Sequence, residues 1–440
     1  MSEKGSLGKP SPVPEDRNLD RRVGIAGAVV SGVGIIIGAG IYVIVGAAAG
    51  RAGNAVWMSF AIAAFGAMLT GLSYARLGRL RPRNAPEFQF LGMAFGRLPG
   101  FLGGWLILWA AVISASTVAL GFAGYLQHLL DVPVLPGAIG LILLSALIVF
   151  AGVGQSVAIA AMLTVVSVIG LLFIIGIGVP YMGEVSLIEM PQGFSGVVAA
   201  ASLVFFAYIG FQGMVNFSDE MRNPARDLPR ALLLALVITT TLYILVALAA
   251  VSAVGWRDLS ASEQAPLAVV AEIAVGSNAD LLIAVLALAS TANTVLLILF
   301  AASRILWAMS CEQAIPKMFC VIGKERSSPW AAIAVVTFFT SVFAAVRSIE
   351  QVAGFTNFVT LLAFAGVNAA AIKLLGMRGN PAAKRPGHIL VNIILPGLGA
   401  VFTLALAASA GWQAAAVGTG LVVLGTGTYA VIRSVLNRSR

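Results

Sequence analysis

Two glycine-interrupted apolar segments are where this sequence could do chemistry. The first reads Gly32-Val33-Gly34-Ile35-Ile36-Ile37-Gly38-Ala39-Gly40-Ile41-Tyr42, the second Phe205-Phe206-Ala207-Tyr208-Ile209-Gly210-Phe211-Gln212-Gly213. A helix that breaks at Gly38-Ala39-Gly40 frees backbone N–H groups at a positive half-helix end, which suits a carboxylate. Glycine also lets helices pack closely, and the Gly34-to-Gly38 spacing fits that second use. A third segment, Ser290-Thr291-Ala292-Asn293-Thr294, puts a polar cluster in an apolar helix. Its side chains either satisfy nearby backbone carbonyls or line a cavity. This chemistry is reversible binding rather than bond making. His128 and His388 sit at loop edges, and no nucleophile–base pair, metal cluster or phosphate loop stands out. No cofactor and no enzymatic activity are expected.

The elements that must position these residues follow from composition. Of 440 residues, 59% are hydrophobic and 10% charged, against roughly 45–50% and about 25% in soluble chains. So few charges cannot coat a water-soluble fold of this size, so the expected solvent is a lipid bilayer. In lipid each backbone polar group must be satisfied within its own segment, so long apolar runs become helices. The alternating ten-residue pattern of a membrane barrel is not visible. Apolar runs and breakers place twelve spans at 23–49, 54–76, 98–126, 133–152, 155–179, 196–218, 230–254, 278–306, 329–347, 351–375, 388–409 and 413–435. Residues 257–277 are too polar to span, and Ala265–Ala274 reads as a short external helix. The first twenty residues are polar and charged, so no cleavable signal peptide is expected.

The net charge is +9, with 27 Lys and Arg against 18 Asp and Glu. With the N-terminus inside, all the cations but Arg51, Arg257 and Arg347 fall on the inner side. That asymmetry predicts cytoplasmic N- and C-termini. The basic charge is then a topology signal with scope for anionic-lipid contact, and nucleic acid is not an expected partner. No ionisable side chain falls at the midplane, and the acids outside the external loops are assigned to the N-terminal tail, the inner loops and the inner end of span 6. Cys311 and Cys320 share one loop and read as reduced thiols.

Interrupted spans at matching positions in two halves point to an inverted-repeat transporter. Here they fall in spans 1 and 6, each the start of a five-helix half. At this point the residues resemble the amino acid–polyamine–organocation (APC) superfamily, closest to its bacterial and cationic amino acid transporter branch. The match rests on Ile36-Ile37-Gly38-Ala39-Gly40-Ile41, Leu72-Ser73-Tyr74-Ala75, Phe205–Gly210 followed by Glu220–Arg230, and Ser290–Thr294 with Ala301-Ala302-Ser303-Arg304. The resemblance implies an all-α membrane protein: a LeuT-type 5+5 inverted repeat with twelve transmembrane helices, helices 1 and 6 broken. Its divisions would be a tail at 1–22, repeats at 23–180 and 181–375, and a final pair of spans with a short C-terminus at 376–440.

It further implies that a substrate α-carboxylate meets backbone N–H groups at Gly38, Ala39 and Gly40, flanked by Ile37 and Ile41. The α-amino group would meet carbonyls near Phe206, Ala207, Ile209 and Gly210, with Asn293 alongside and Phe206 or Tyr208 as an aromatic gate. Four departures stand out. Arg76 replaces the usual glutamate after Tyr74-Ala75. Ala85-Pro86-Glu87-Phe88 replaces Gly-Gly-x-Tyr before span 3. Gln212 stands where many relatives carry an acid. The position of a common span 5 lysine aligns with Ser167. Groups often associated with proton coupling are thus missing, and Ser167, Gln212, Ser290 and Thr291 are left as candidates for a coupling ion, H⁺ or Na⁺.

The expected function is secondary transport of amino acids across a prokaryotic inner membrane by alternating access. Lacking a midplane carboxylate, the site favours neutral over cationic substrates. Exchange, or transport of cationic amino acids or polyamines, is the alternative. A non-transporting nutrient sensor on the same scaffold is the reading from another class. Oligomeric state is not legible.

Overall fold

A computed structural model describes residues 24–78, 85–151, 153–221, 223–262, 265–321, 328–345, 349–376 and 389–438. The 1–22 tail and the basic segments 79–84 and 377–388, which carry several of the cations assigned to the inner face, lie outside these residues. The apolar segments form helices. They are α1 (Ile25–Ile36), α2 (Gly40–Ala52), α3 (Val56–Leu77), α4 (Pro86–Phe95), α5 (Arg97–Leu130), α6 (Val134–Ala151), α7 (Val153–Gly178), α8 (Gly193–Val204), α9 (Pro224–Ala261), α10 (Pro266–Val275), α11 (Ser277–Cys311), α12 (Trp330–Ala344), α13 (Ile349–Ala371), α14 (Leu395–Ser409) and α15 (Trp412–Arg438). Among the described residues, ten helices are long and apolar enough to cross a membrane.

The surface states the solvent. Leu147 on α6, Met162 on α7, Val401 on α14 and Leu424 on α15 are each more than 60% exposed. Outward-facing side chains this large and apolar suit hydrocarbon. The interior is built from small residues and rings, with α1 packed on α9, α2 on α8 and α9, and α11 between α5 and α7. The elements that surround the first break are therefore α7, α9 and α11.

Two sequence expectations need correction. The segment before span 3 folds as the separate helix α4, because Pro86 fixes the first helical φ and Gly96, at φ 98°, ends the turn. Glycines on α5 bring it close: a Cβ on Gly103 would lie 2.9 Å from the Glu87 carbonyl, and one on Gly100 would lie 2.8 Å from Gly92 Cα. Glu87, assigned with the inner-loop acids, is consequently 1% exposed. Cys311 and Cys320 are not free thiols. A disulfide joins them across nine residues at the end of α11, because that chain turns back on itself there, with Ala314 N–H donating to the Met309 carbonyl.

Candidate functional site

The first apolar segment does break. α1 ends at Ile36, Ile37 leaves the helical region at φ −70°, ψ 89°, and α2 resumes at Gly40. At a helix start the first N–H groups have no acceptor one turn back. Those of Gly40 and Ile41 are in that position, and no side chain caps them. The Ala39 N–H is different: it donates to Thr294 Oγ1 at 2.8 Å. The same hydroxyl donates to the Ser290 carbonyl at 2.9 Å. Gly38 and Gly40 are required by close approach rather than by an unusual φ. A Cβ on Gly38 would lie 2.6 Å from Thr294 Oγ1, and one on Gly40 would strike the Ala207 backbone.

The second segment breaks by a tighter route. After α8 the chain runs as a 3₁₀ turn from Phe205 to Tyr208, extends at Ile209 and passes Gly210 at φ 131°. A second 3₁₀ run follows over Phe211–Glu220. Gln212 Oε1 accepts the Gly210 N–H at 2.9 Å, so this side chain caps the break. Tyr243 on α9 joins the two interruptions. Its hydroxyl lies 2.9 Å from the Ile36 carbonyl and 3.1 Å from that of Ala207, within reach of donating its single hydrogen to either.

Between the breaks lies a cavity of about 450 Å³, within the size range of small-molecule sites. Ile37, Gly38, Ala39, Gly40, Phe206, Ala207, Ile209, Gly210, Gln212 and Asn293 all line it. Ile41 and Tyr208 do not. Ile41 is buried in the helix packing, and the Tyr208 hydroxyl donates to the Phe60 carbonyl at 3.0 Å while its ring packs on Tyr243. Of the four residues named for a coupling ion, Gln212 lines the cavity, and the other three lie on α7 and α11, which pack together. The Ser167 hydroxyl donates to Leu163 and its carbonyl accepts from Tyr42. Thr291 donates back to Ala287 at 2.7 Å. Ser290 Oγ is buried with no hydrogen-bond partner. Thr164 of α7 lies against α1, where a Cβ on Gly34 would lie 2.8 Å from its methyl group, and Asn293 Nδ2 donates to its hydroxyl at 3.0 Å.

Sequence reasoning missed two cavity residues of another kind, Glu87 and Arg304. Glu87 Oε1 accepts from the Tyr74 hydroxyl at 2.8 Å. Burial pushes its carboxyl up to about 7, against the opposing pull of its own backbone N–H and the Tyr74 hydroxyl. Arg304 stacks 3.5 Å over the Phe300 ring and donates to the Phe300 carbonyl and Ser303 Oγ. Both lie toward the end of the bundle where α3 and α11 finish, the cation-rich end. The opposite end is bridged by polar contacts. Asn54 Nδ2 donates to Glu189 Oε2 at 3.1 Å, the Trp256 N–H donates to Asn54 Oδ1, and Trp256 Nε1 donates to Glu189 Oε1. A separate open cleft of about 440 Å³, walled by Gln127, His128 and Ser262, touches neither break.

Residues 24–432 match the family described as amino acid permease. A branched-chain amino acid permease of Bacillus subtilis is 26% identical over 419 residues, covering 90% of each chain. The methylthioribose transporter of the same organism is 28% identical over 384 residues, covering 82% of each. Cationic amino acid transporter 4 of Homo sapiens is 28% identical over 401 residues, covering 84% of this chain and 62% of the human one.

Proposed function

The chain belongs to the amino acid permease family and is a multi-pass membrane transporter of amino acids, not an enzyme; from that premise we propose that it works by alternating access on a LeuT-type core of two inverted five-helix repeats plus two further helices. One observation carries the reading: a single cavity is lined by both helix breaks. In it an α-carboxylate meets the uncapped N–H groups that open α2, and an α-amino group meets backbone carbonyl around Phe206 to Ile209. Phe206 closes over the substrate. The termini face the cytoplasm of a bacterial inner membrane, so the cavity, which runs toward the cation-rich end, opens inward.

Neutral apolar amino acids are the preferred cargo. The wall beyond the breaks is made of Ile107, Ala110, Ala111, Leu297 and Ile298, which suits an aliphatic side chain by burial alone. Glu87 in the same wall favours a second reading, a cationic side chain paired with its carboxylate. Purified protein reconstituted into vesicles tests both. Exchange of labelled amino acids in a broad panel is expected, inhibited by excess leucine and alanine more than by excess lysine. Inhibition in the reverse order supports the second reading, and no exchange of any amino acid overturns the transport mechanism.

A further inference from the structure

Glu87 is the acid that the neutral-substrate reading leaves without a task. It sits in the first turn of α4, its carboxyl held by Tyr74 of α3, and it lines the cavity that contains both breaks. The charged and titratable groups around it are few. On α11, Arg304 lines the same cavity and gives Nη1 to the Phe300 carbonyl and Ser303 Oγ, and Glu312 accepts from Gln89, two residues along α4 from Glu87. Beyond α13, Lys373 lies 5.0 Å over the Phe95 ring, at the far end of α4. α5 presents Ile107, Ala110 and Ser114 to the cavity, and α13 presents Thr360. Arg79, Arg81 and Arg83 precede α4 in sequence and lie outside the described residues. Among the described residues the carboxyl therefore has no cationic partner, and a buried carboxylate without one is costly while a buried carboxylic acid is not.

The partner of this carboxyl is tied to the substrate site. The Tyr74 ring packs edge-on against Phe211 at 5.9 Å and against Phe364 at 5.4 Å, and Phe211 is the residue that follows the Gly210 break. Glu87, Tyr74, Phe211 and Gly210 thus form a contiguous chain of packed groups from the carboxyl to the second interruption. Burial also sets the carboxyl to titrate near neutrality.

Resting on the transporter reading above, we propose that Glu87 is the proton-binding group that couples amino acid movement to a proton gradient, with Tyr74 as its positioning residue. The step is a reversible transfer of one proton between cavity water and the carboxyl, which passes between −1 and neutral. Protonated, Glu87 packs without charge against Tyr74 at the cation-rich end of the cavity. Ionised, it draws water or the Arg304 guanidinium toward it, and the shift reaches Gly210 through Tyr74 and Phe211. A zwitterionic substrate carried with this proton moves one positive charge per cycle.

Vesicles containing the full chain test this in two modes, using the amino acid that exchanges best in the panel. Counterflow, which needs no gradient, reads substrate binding and the conformational cycle. Accumulation under an imposed pH gradient, followed with a luminal pH dye, reads coupling. The intact protein is expected to accumulate substrate and acidify the lumen. E87Q, which keeps the hydrogen-bonding shape but cannot titrate, is expected to retain counterflow within about fivefold while losing accumulation and proton flux. E87D restores them in part. Y74F removes a donor that favours the ionised form, so its pH profile shifts to higher pH. Accumulation by E87Q with an unchanged pH profile overturns the proposal, as does substrate accumulation by the intact protein without luminal acidification. Should E87Q be inactive in both modes, a Y74F pH profile identical to that of the intact protein also overturns it. Absence of counterflow in the intact protein is a separate result, and it fails the transport reading instead.

Discussion

The backbone N–H of Ala39 donates to Thr294 Oγ1 at 2.8 Å across 255 residues of chain. This bond fixes the first break against α11 and removes one donor from those a substrate carboxylate can use, leaving Gly40 at the start of α2. Thr294→Val keeps the shape but strands a buried N–H, which costs about 1–3 kcal/mol. Thermal unfolding in detergent is expected to show that loss, and counterflow is expected to slow. Thr294→Ser keeps the hydroxyl and should sit near the parent on both measures. Equal behaviour of Val and Ser would show that the bond holds nothing in place.

Gly40 and Gly210 fail on substitution for different reasons. A side chain at 40 collides with the Ala207 backbone, whereas one at 210 must adopt φ 131° and approach the Ile35 carbonyl at 2.9 Å. Left-handed backbone costs a non-glycine residue about 1–2 kcal/mol before any clash. Gly40→Leu and Gly210→Leu are both expected to abolish uptake. Gly40→Ala should already lose most of it, since the first added carbon is the one that clashes. Uptake by Gly40→Ala at the parental rate, with matched membrane levels, refutes this geometry.

Much of the fold and of this site was legible in the sequence, for identifiable reasons. A run of twenty apolar residues in lipid has only the helix available to it, so the elements followed from composition, and Gly38, Gly40 and Gly210 marked the interruptions because neighbouring atoms approach the chain there too closely for a side chain. Two things were not legible. Tyr208 looked like a gate by position, but its hydroxyl reaches Phe60 and its ring faces Tyr243; which way a ring points on a 3₁₀ turn is set by tertiary packing. Glu87 read as a loop acid because a single charge beside a basic segment looks solvated. Its burial depends on glycines at 100 and 103 of another helix.

The buried carboxyl makes stability depend on pH with a definite sign. Glu87 binds its proton more tightly in the folded protein, with its titration raised from 4.5 to about 7. The folded state therefore gains from protonation, a gain present in full below 4.5 and lost as pH rises through about 7. The shift corresponds to about 3 kcal/mol. Melting temperatures of the intact protein are expected to decline across that window relative to E87Q, whose own profile lacks this component. Parallel profiles for the two would mean that Glu87 is solvated in the folded state.

The Cys311–Cys320 pair gives a test of the chain's path beyond α11. The disulfide closes a nine-residue separation, and Ser310, just before it, donates to the Pro316 carbonyl at 2.6 Å. Protein purified without reductant and denatured with an alkylating reagent is expected to stay unlabelled at both positions, then to take up two labels after reduction. Full labelling before reduction would mean that the loop holds two thiols in the cell, as cytoplasmic reducing conditions favour.

Ala85 carries a conformation its side chain resists. It stands immediately before α4 at φ 60°, ψ 61°, the left-handed region that costs an alanine about 1–2 kcal/mol. Glycine adopts it freely but loses more chain entropy on folding, about 0.5–1 kcal/mol. The difference leaves Ala85→Gly more stable than the parent by up to about 1.5 kcal/mol, with transport preserved because the turn that delivers Glu87 to the cavity is unchanged. Ala85→Val, branched at the same backbone angles, should destabilise and reduce uptake together. Melting temperatures that fall for glycine as well as for valine would mean that the chain does not enter α4 through a left-handed residue, and the placement of Glu87 would fall with it.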